Sequence, residues 1–330
     1  QALLGAANGA SRTRINELLL TSLAQTLCHW SGQSAVDILL EGHGRTPDAD
    51  ADMDLSRSVG WFTALYPLQL TPGSDTPEQA IKAIKEQLRA VPGEGLGHGV
   101  LRYLDRGELA QQLAARTAPQ VIFNYLGQFD PGRSAGGLFA WADEPLGASL
   151  DPSAEADSEW VVTGQVRDGC LHVSWRYGVE RFDTVVVQAL AQRYLATLAR
   201  LIDHCLSPGA AGVTPADFPL AQLTQAQLDA LPVAATDLED LYPLSPLQQG
   251  LLFHALQGGT RSTYVNQVSV PLSDVDGLRF AEAWERVTRE HAILRAGFVW
   301  DGDLQQPLQW IHRHLPSPVQ HLDWRTRPAQ

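Results

Sequence analysis

WVVTGQVRDGCLHVSWRY, residues 160–177, is made of two short runs on either side of an Arg167-Asp168-Gly169 turn. Leu171, Val173, Trp175 and Tyr177 alternate as a half-buried strand requires, because successive strand side chains point to opposite faces. Asp-Gly between two such runs is the turn chemistry of a hairpin. Immediately downstream, from Asp183 to Leu206, apolar residues recur at helical spacing through Val186, Val187, Leu190, Tyr194, Leu198 and Leu201. The spacing predicts a long amphipathic helix whose apolar stripe must dock on a sheet. Helices and strands mix in the same way elsewhere, so the class is α/β (α+β).

Toward the N-terminus, Ile15, Leu18, Leu19, Ser22, Leu23, Thr26 and Leu27 predict a helix over Thr13 to Trp30 with one buried face, ended by Ser31-Gly32. Val36 to Leu40 reads as a buried strand that delivers the loop Glu41-Gly42-His43-Gly44-Arg45. Asp48 to Asp54 is an acidic, alanine-rich tract expected to be solvated. Trp61, Phe62 and Tyr66 are expected in the core, lining the wall of a tunnel being the alternative. Thr76-Pro77-Glu78-Gln79 predicts a capped helix start, with Ile81, Ile84, Lys85 and Leu88 on its buried face. The glycines from Gly93 to Gly99 lack nucleotide-loop spacing and a following P-loop lysine, and read as a close-approach turn.

Beyond Ser207-Pro208-Gly209 the chain turns to alanine, proline and small polar residues as far as Asp237, with a capping box at Thr224-Gln225-Ala226-Gln227. The expected partition is a first unit over 1–207, an interdomain linker over 208–238 and a further unit over 239–330. That last unit is expected to hold helices at Ser245 to Leu256 and Leu278 to Ala292, and strands at Tyr264 to Val270 and Leu294 to Val299.

Composition narrows the function. With 24 basic and 37 acidic residues among 330, the formal net charge of −13 excludes a generic nucleic-acid binder. No apolar run approaches the roughly 18 residues of a membrane span, and no signal-peptide pattern opens the chain. The 3 cysteines, Cys28, Cys170 and Cys205, are isolated and form neither a disulfide framework nor a metal clip, which suits a cytoplasmic setting. Gln1 falls inside a helical stretch and Gln330 lacks a natural finish, so the expectation is a piece of a longer chain.

Four stretches carry chemistry: Glu41-Gly-His-Gly-Arg45, Arg57-Ser-Val-Gly-Trp-Phe-Thr-Ala-Leu-Tyr-Pro67, Pro92-Gly-Glu-Gly-Leu-Gly-His-Gly-Val-Leu-Arg-Tyr-Leu104 and Phe123-Asn-Tyr-Leu-Gly-Gln-Phe-Asp130. In these motifs, in this order, the sequence resembles the epimerization domain of nonribosomal peptide synthetases, and Pro215-Ala-Asp-Phe-Pro-Leu220 resembles the segment that trails it. Tyr242-Pro-Leu-Ser-Pro-Leu-Gln-Gln-Gly-Leu-Leu-Phe-His254 and His291-Ala-Ile-Leu-Arg-Ala-Gly-Phe298 resemble the opening motifs of a condensation domain. The resemblance implies a chloramphenicol-acetyltransferase-like pair of α/β lobes, of which only parts are present: a C-terminal epimerization lobe and the start of a condensation domain.

It also implies a reaction: inversion at the α-carbon of an aminoacyl or peptidyl thioester borne on the phosphopantetheine arm of a partner carrier domain. No cofactor or metal is expected on the chain itself. Such chemistry needs a base for a weakly acidic C–H, a donor to return the proton on the other face, and polar stabilisation of the enolate. In the family the carboxylate matches Glu41, and the imidazole comes from a His-His-x-x-x-Asp-Gly motif in the other lobe. This chain has no His-His pair, so that lobe is expected upstream and the fragment alone is expected to be inactive.

A loop glutamate by itself is most often a solvated charge; the motif assigns Glu41 its acid/base role. Asn124 and Tyr125 suit donation to an enolate or thioester oxygen, or else merely satisfy a strand end. His43, Arg45 and His98 are the candidates to position substrate or pantetheine; His43 and Arg45 could orient Glu41 or hold the arm's phosphate, but a structural role is favoured for both, an ordinary buried salt bridge explaining Arg45 equally well. His98 stands where the family has tyrosine, Thr46 where an acid is common, and Ala292 and Ala296 where the condensation motif has an acid and a threonine, which leaves its subtype open. Two other functions stay in play: acyl transfer in both parts, and a carrier-docking platform without catalysis.

Overall fold

The computed structural model describes residues 2–45, 54–55, 57–74, 76–128, 147, 151, 158–210, 212–257 and 266–323. Thr46, most of the acidic tract from Asp48, and Phe129 and Asp130 at the end of the fourth motif lie outside these. The chain forms two compact units, Gln1–Gly212 and Val213–Gln330.

The first unit runs α1 (Ala6–Ser11), α2 (Ile15–Ser31), β1 (Val36–Gly42), β2 (Ala64–Leu70), α3 (Pro77–Arg89), α4 (Leu96–Gly99), α5 (Glu108–Ala115), β3 (Val121–Gln128), β4 (Trp160–Arg167), β5 (Cys170–Tyr177) and α6 (Thr184–Leu206). Its five strands lie in the order β2-β1-β3-β4-β5. β3 is parallel to both β1 and β4, and the outer pairs are antiparallel. The expected hairpin is β4–β5, with Asp168 and Gly169 at φ 52° and 70°, the doubly left-handed turn that Asp-Gly accommodates. The expected long helix is α6, capped by Asp183, whose carboxylate accepts the Val185 N–H at 2.8 Å.

The core lies between one face of this sheet and the helices α2, α3 and α6. Ile38, Leu40, Phe123 and Val162 pack there with Leu19, Leu23, Ile84 and Tyr194, all essentially buried. Truncating one of these leucines or isoleucines to alanine costs about 2–5 kcal/mol. The single buried stripe expected for α2 is too narrow, because every residue from Glu17 to Cys28 is buried. Hydroxyls make this possible by bonding carbonyls: Thr21 to Glu17 at 2.6 Å, Thr26 to Ser22 at 2.7 Å, and Ser22 across to Tyr194 at 2.7 Å. Lys85, on the buried face of α3, is fully enclosed and donates to the carbonyls of Ser11 at 3.0 Å and Gly212 at 2.9 Å.

Two local expectations change. Thr76 precedes α3 and Pro77 opens it, but the Thr76 side chain makes no capping bond. Instead the Ser74 hydroxyl accepts the Thr76 N–H at 3.1 Å. Tyr66 is in the core as expected, whereas Trp61 is 91% exposed and Phe62 partly so. Both stand just before β2, outside the alternation that would have turned them inward.

The second unit runs α7 (Gln225–Asp229), β6 (Leu238–Pro243), α8 (Pro246–Gln257), α9 (Gly277–Glu290), β7 (Ala296–Val299) and β8 (Leu308–His312), with strand order β6-β8-β7. The capping box at Thr224 forms, its N–H donating to Gln227 Oε1 at 2.8 Å. The alanine- and proline-rich tract contributes Val213, Phe218, Ala221, Leu228 and Leu231 to a core shared with Leu238, Leu241, Val299 and Leu308. Residues 266–270, expected as a strand, are in none. The strand expected from Leu294 starts at Ala296, because Ala292–Arg295 is a tight 3-10 turn whose Arg295 side chain is buried and bonds the Thr288 carbonyl at 3.1 Å. Among the described residues no helix is long and apolar enough to cross a membrane.

Candidate active site

Glu41 is the penultimate residue of β1, paired with Leu65 on one side and with Asn124 of parallel β3 on the other. Alternation along β1 buries Ile38 and Leu40 against the helices and turns Asp37, Leu39 and Glu41 to the opposite face. Asn124, level with Glu41, leaves its strand on that same face. Tyr125, one residue on, is on the helix side, where burial pushes its phenol pKa upward.

The strands end at a cleft of about 840 Å³, lined by Glu41, His43, Arg45, Asn124 and Tyr125 together with Trp61, Phe62 and Tyr66. A cleft of this size accommodates a small-molecule ligand. Glu41 is half-buried and its carboxylate has no hydrogen bond or ion pair among the described residues. Beyond it the loop turns back at Gly44, at φ +61°, where an added Cβ would fall 1.6 Å from the Phe62 carbonyl oxygen. His43 Nδ1 accepts the Arg45 N–H at 3.0 Å. The Arg45 guanidinium donates to the carbonyls of Gly60 at 2.9 Å and Ser58 at 3.3 Å, and lies 4.7 Å from the Phe62 ring centre. Arg45 therefore fastens the loop to the segment before β2, and among the described residues no carboxylate pairs with it.

His98 stands apart from this group. It lines a second cavity of about 550 Å³ with Asp37, Arg102, Tyr103 and Arg116, and its Nδ1 is 3.2 Å from the Leu65 carbonyl oxygen. Of the glycines before it, Gly95 is required by close approach: at φ +80° its added Cβ would meet the Tyr66 ring at 2.0 Å.

The cleft has a further wall that sequence reasoning missed, made by the start of α2 and the end of α3. Glu17 accepts the Arg14 N–H at 2.8 Å and pairs with Arg89 at 2.8 Å. Arg14 pairs with Glu94 at 3.0 Å. Tyr66 is pushed up to about 12, by burial first and by the negative charge of Glu94 second. Glu17 three residues after Arg14 was a legible cap signal; its partner Arg89, 72 residues away, was not.

The sheet with helices on one face and the cleft at the ends of its parallel strands define a condensation-type lobe. The condensation-domain family model matches residues 1–224 and 238–330, and the chain belongs to that family. It is 41% identical to a linear gramicidin synthase of Brevibacillus parabrevis over 331 residues, covering 100% of this chain and 4% of that protein. It is 36% identical to a chondramide synthase of Chondromyces crocatus over 358 residues, covering 94% of this chain and 9% of that one. The chain thus spans a small fraction of the curated relatives it matches. Among solved structures, the epimerization domain from the third module of tyrocidine synthetase B matches at 34% identity with a TM-score of 0.58, over 62% of this chain and 45% of that one. The mixed α/β class and the chloramphenicol-acetyltransferase-like fold are those of this family.

Proposed function

We propose that the first unit is the C-terminal lobe of an epimerization domain in a nonribosomal peptide synthetase, followed by a linker within 208–238 and the start of a condensation domain from 239. The substrate is an aminoacyl or peptidyl thioester on the phosphopantetheine arm of a carrier domain, and the other lobe supplies an imidazole. Glu41 exchanges a proton with the α-carbon while the electron pair moves onto the thioester oxygen as an enolate. Asn124, on the Glu41 face of the sheet, donates to that oxygen, Tyr125 lines the cleft from the helix side, and the imidazole delivers a proton to the opposite face of the α-carbon. His43 shapes the loop and Arg45 holds it. His98, on the second cavity, acts at most through β2. The isolated, unpaired cysteines support a reducing, cytoplasmic setting.

The observation that carries this reading is the Glu41 carboxylate, fixed by strand pairing on both sides, unmatched by any described protein group, and level with Asn124 in the cleft. The likeness to a solved epimerization domain supports it. The test is α-proton exchange: the two-lobed domain is given a carrier-bound aminoacyl thioester in deuterated water, and Glu41→Gln is expected to slow exchange strongly. Undiminished exchange in that variant removes Glu41 from the mechanism. A second reading, acyl transfer in both parts, is favoured by the condensation model matching on both sides of the linker. Peptide-bond formation that depends on 1–207 without exchange would establish it, and carrier binding with neither reaction would leave a docking platform.

A further inference from the structure

Four buried side-chain polar atoms among the described residues lack a hydrogen-bond partner: Asn16 Oδ1, Trp160 Nε1, Tyr194 Oη and Thr214 Oγ1. Trp160 and Tyr194 belong to the hydrophobic core of the first unit, and Thr214 lies in the second. Asn16 differs because it is half-buried on the wall of the strand-end cleft. It is the second residue of α2, where the capping is done by Glu17. Arg14, Glu17, Arg89 and Glu94 are matched on that wall. Among the described residues of that wall, Asn16 Oδ1 is the buried side-chain atom without a hydrogen-bond partner. An enclosed amide oxygen without a partner costs about 1–3 kcal/mol, a cost that calls for an explanation in the native state.

We propose that Asn16 is a ligand-binding residue whose side-chain amide pairs with a secondary amide of the thioester-borne substrate, an assignment that rests on the epimerization reading. A primary amide offers one acceptor and two donors, so Oδ1 takes an N–H or Nδ2 gives to a C=O, one of the two meeting a trans secondary amide whose N–H and C=O lie on opposite edges. A secondary amide carries both a donor and an acceptor and so satisfies whichever Asn16 atom faces the cleft, whereas an ammonium only donates and a thioester carbonyl only accepts. The terminal torsion of asparagine is broad, so the amide can turn either atom toward the cleft. The matching amide comes from one of two sources: a peptide bond on the α-nitrogen of the residue being inverted, or the pantetheine arm.

The test measures binding to the full synthetase by calorimetry, using non-reacting thioether analogues. The set is an N-acylaminoacyl pantetheine, a free-amine aminoacyl pantetheine, an N-acylaminoacyl ethyl thioether, and a free-amine ethyl thioether that has no secondary amide. Asn16→Leu is expected to weaken amide-bearing ligands about tenfold, the equivalent of about 1.4 kcal/mol. The amide-free ligand should stay within about twofold, and the melting temperature should not fall, since the substitution removes an unpaired buried oxygen. Asn16→Ala, which removes both donor and acceptor without adding charge, provides the same comparison if the leucine variant misfolds. A loss that follows the N-acyl group assigns the peptide bond; one that follows pantetheine assigns the arm. The proposal is overturned if no affinity changes, if the amide-free ligand weakens equally, or if the wild-type protein binds none of the amide-bearing analogues. A wild-type protein that binds but never exchanges the α-proton would end the epimerization reading while leaving Asn16 assigned.

Discussion

On the wall built from the start of α2 and the end of α3, Glu17 meets Arg89 and the Arg14 backbone, and Arg14 meets Glu94. Across the same cleft, at the ends of β1 and β3, Glu41 and Asn124 meet no described protein partner. Both walls are polar, yet only one has spent its polarity on the fold. The density of charge does not locate chemistry here. What marks the proposed site is a group whose backbone is fixed on both sides while its side chain remains uncommitted, as β1 does for Glu41.

The contrast yields four predictions, taken from the largest effect to the smallest. Glu41→Gln on the uncommitted wall should lower α-proton exchange by about 10²- to 10⁴-fold, with the urea midpoint unchanged. A matching drop in stability would mean that Glu41 has a structural partner after all. Glu17→Gln on the committed wall should do the reverse. It removes the Glu17 charge beside a largely buried Arg89, and should cost about 3 kcal/mol of unfolding free energy. A loss under about 0.5 kcal/mol would show that the matched wall is solvated and the contrast false.

Gly44→Ala tests the joint between the loop and the segment before β2. It places a side chain at φ +61° against the Phe62 carbonyl, and should cost at least about 1–2 kcal/mol, read as faster amide exchange across residues 57–62. The smallest effect is alkaline. Tyr66 is raised to about 12 by burial and then by Glu94, so its neutral phenol is preferred by the folded state. Its contribution is complete below the unfolded tyrosine pKa of about 10, and is lost as pH rises from there through the folded value. Tyr66→Phe should flatten the stability loss between about pH 10 and 12 and remove a late-titrating phenolate absorbance. Unaltered alkaline behaviour would mean that Tyr66 ionises as a surface tyrosine does.

Much of this was legible locally. Alternation in Leu171, Val173, Trp175 and Tyr177 and the helical stripe of Val187, Leu190, Tyr194, Leu198 and Leu201 are short-range signals, and both elements formed as expected. The motif around Glu41 was legible too, as was the strand that delivers it. What escaped depends on distant partners. The level pairing of Glu41 with Asn124 is a register between strands more than eighty positions apart, which no window of sequence contains. β8, Leu308-Gln-Trp-Ile-His312, is buried at nearly every position and shows no alternation to read. Residues 266–270 look strand-like in composition but found no neighbour to pair with. Asn16 gave no signal, since an unpaired amide is visible only when everything around it has been paired.

β1 is laced to β2 through seven successive partners, from Val36 with Leu70 to Gly42 with Ala64, without a bulge. Sliding that ladder by one step would swing the acid to the helical side and bring Leu40 or Gly42 into its place. The carboxylate is therefore indexed by the main chain and not by the side chains around it. On the proposed reading, a substitution at the cleft rim therefore leaves the acid's position unchanged, because strand register and not rim packing sets it.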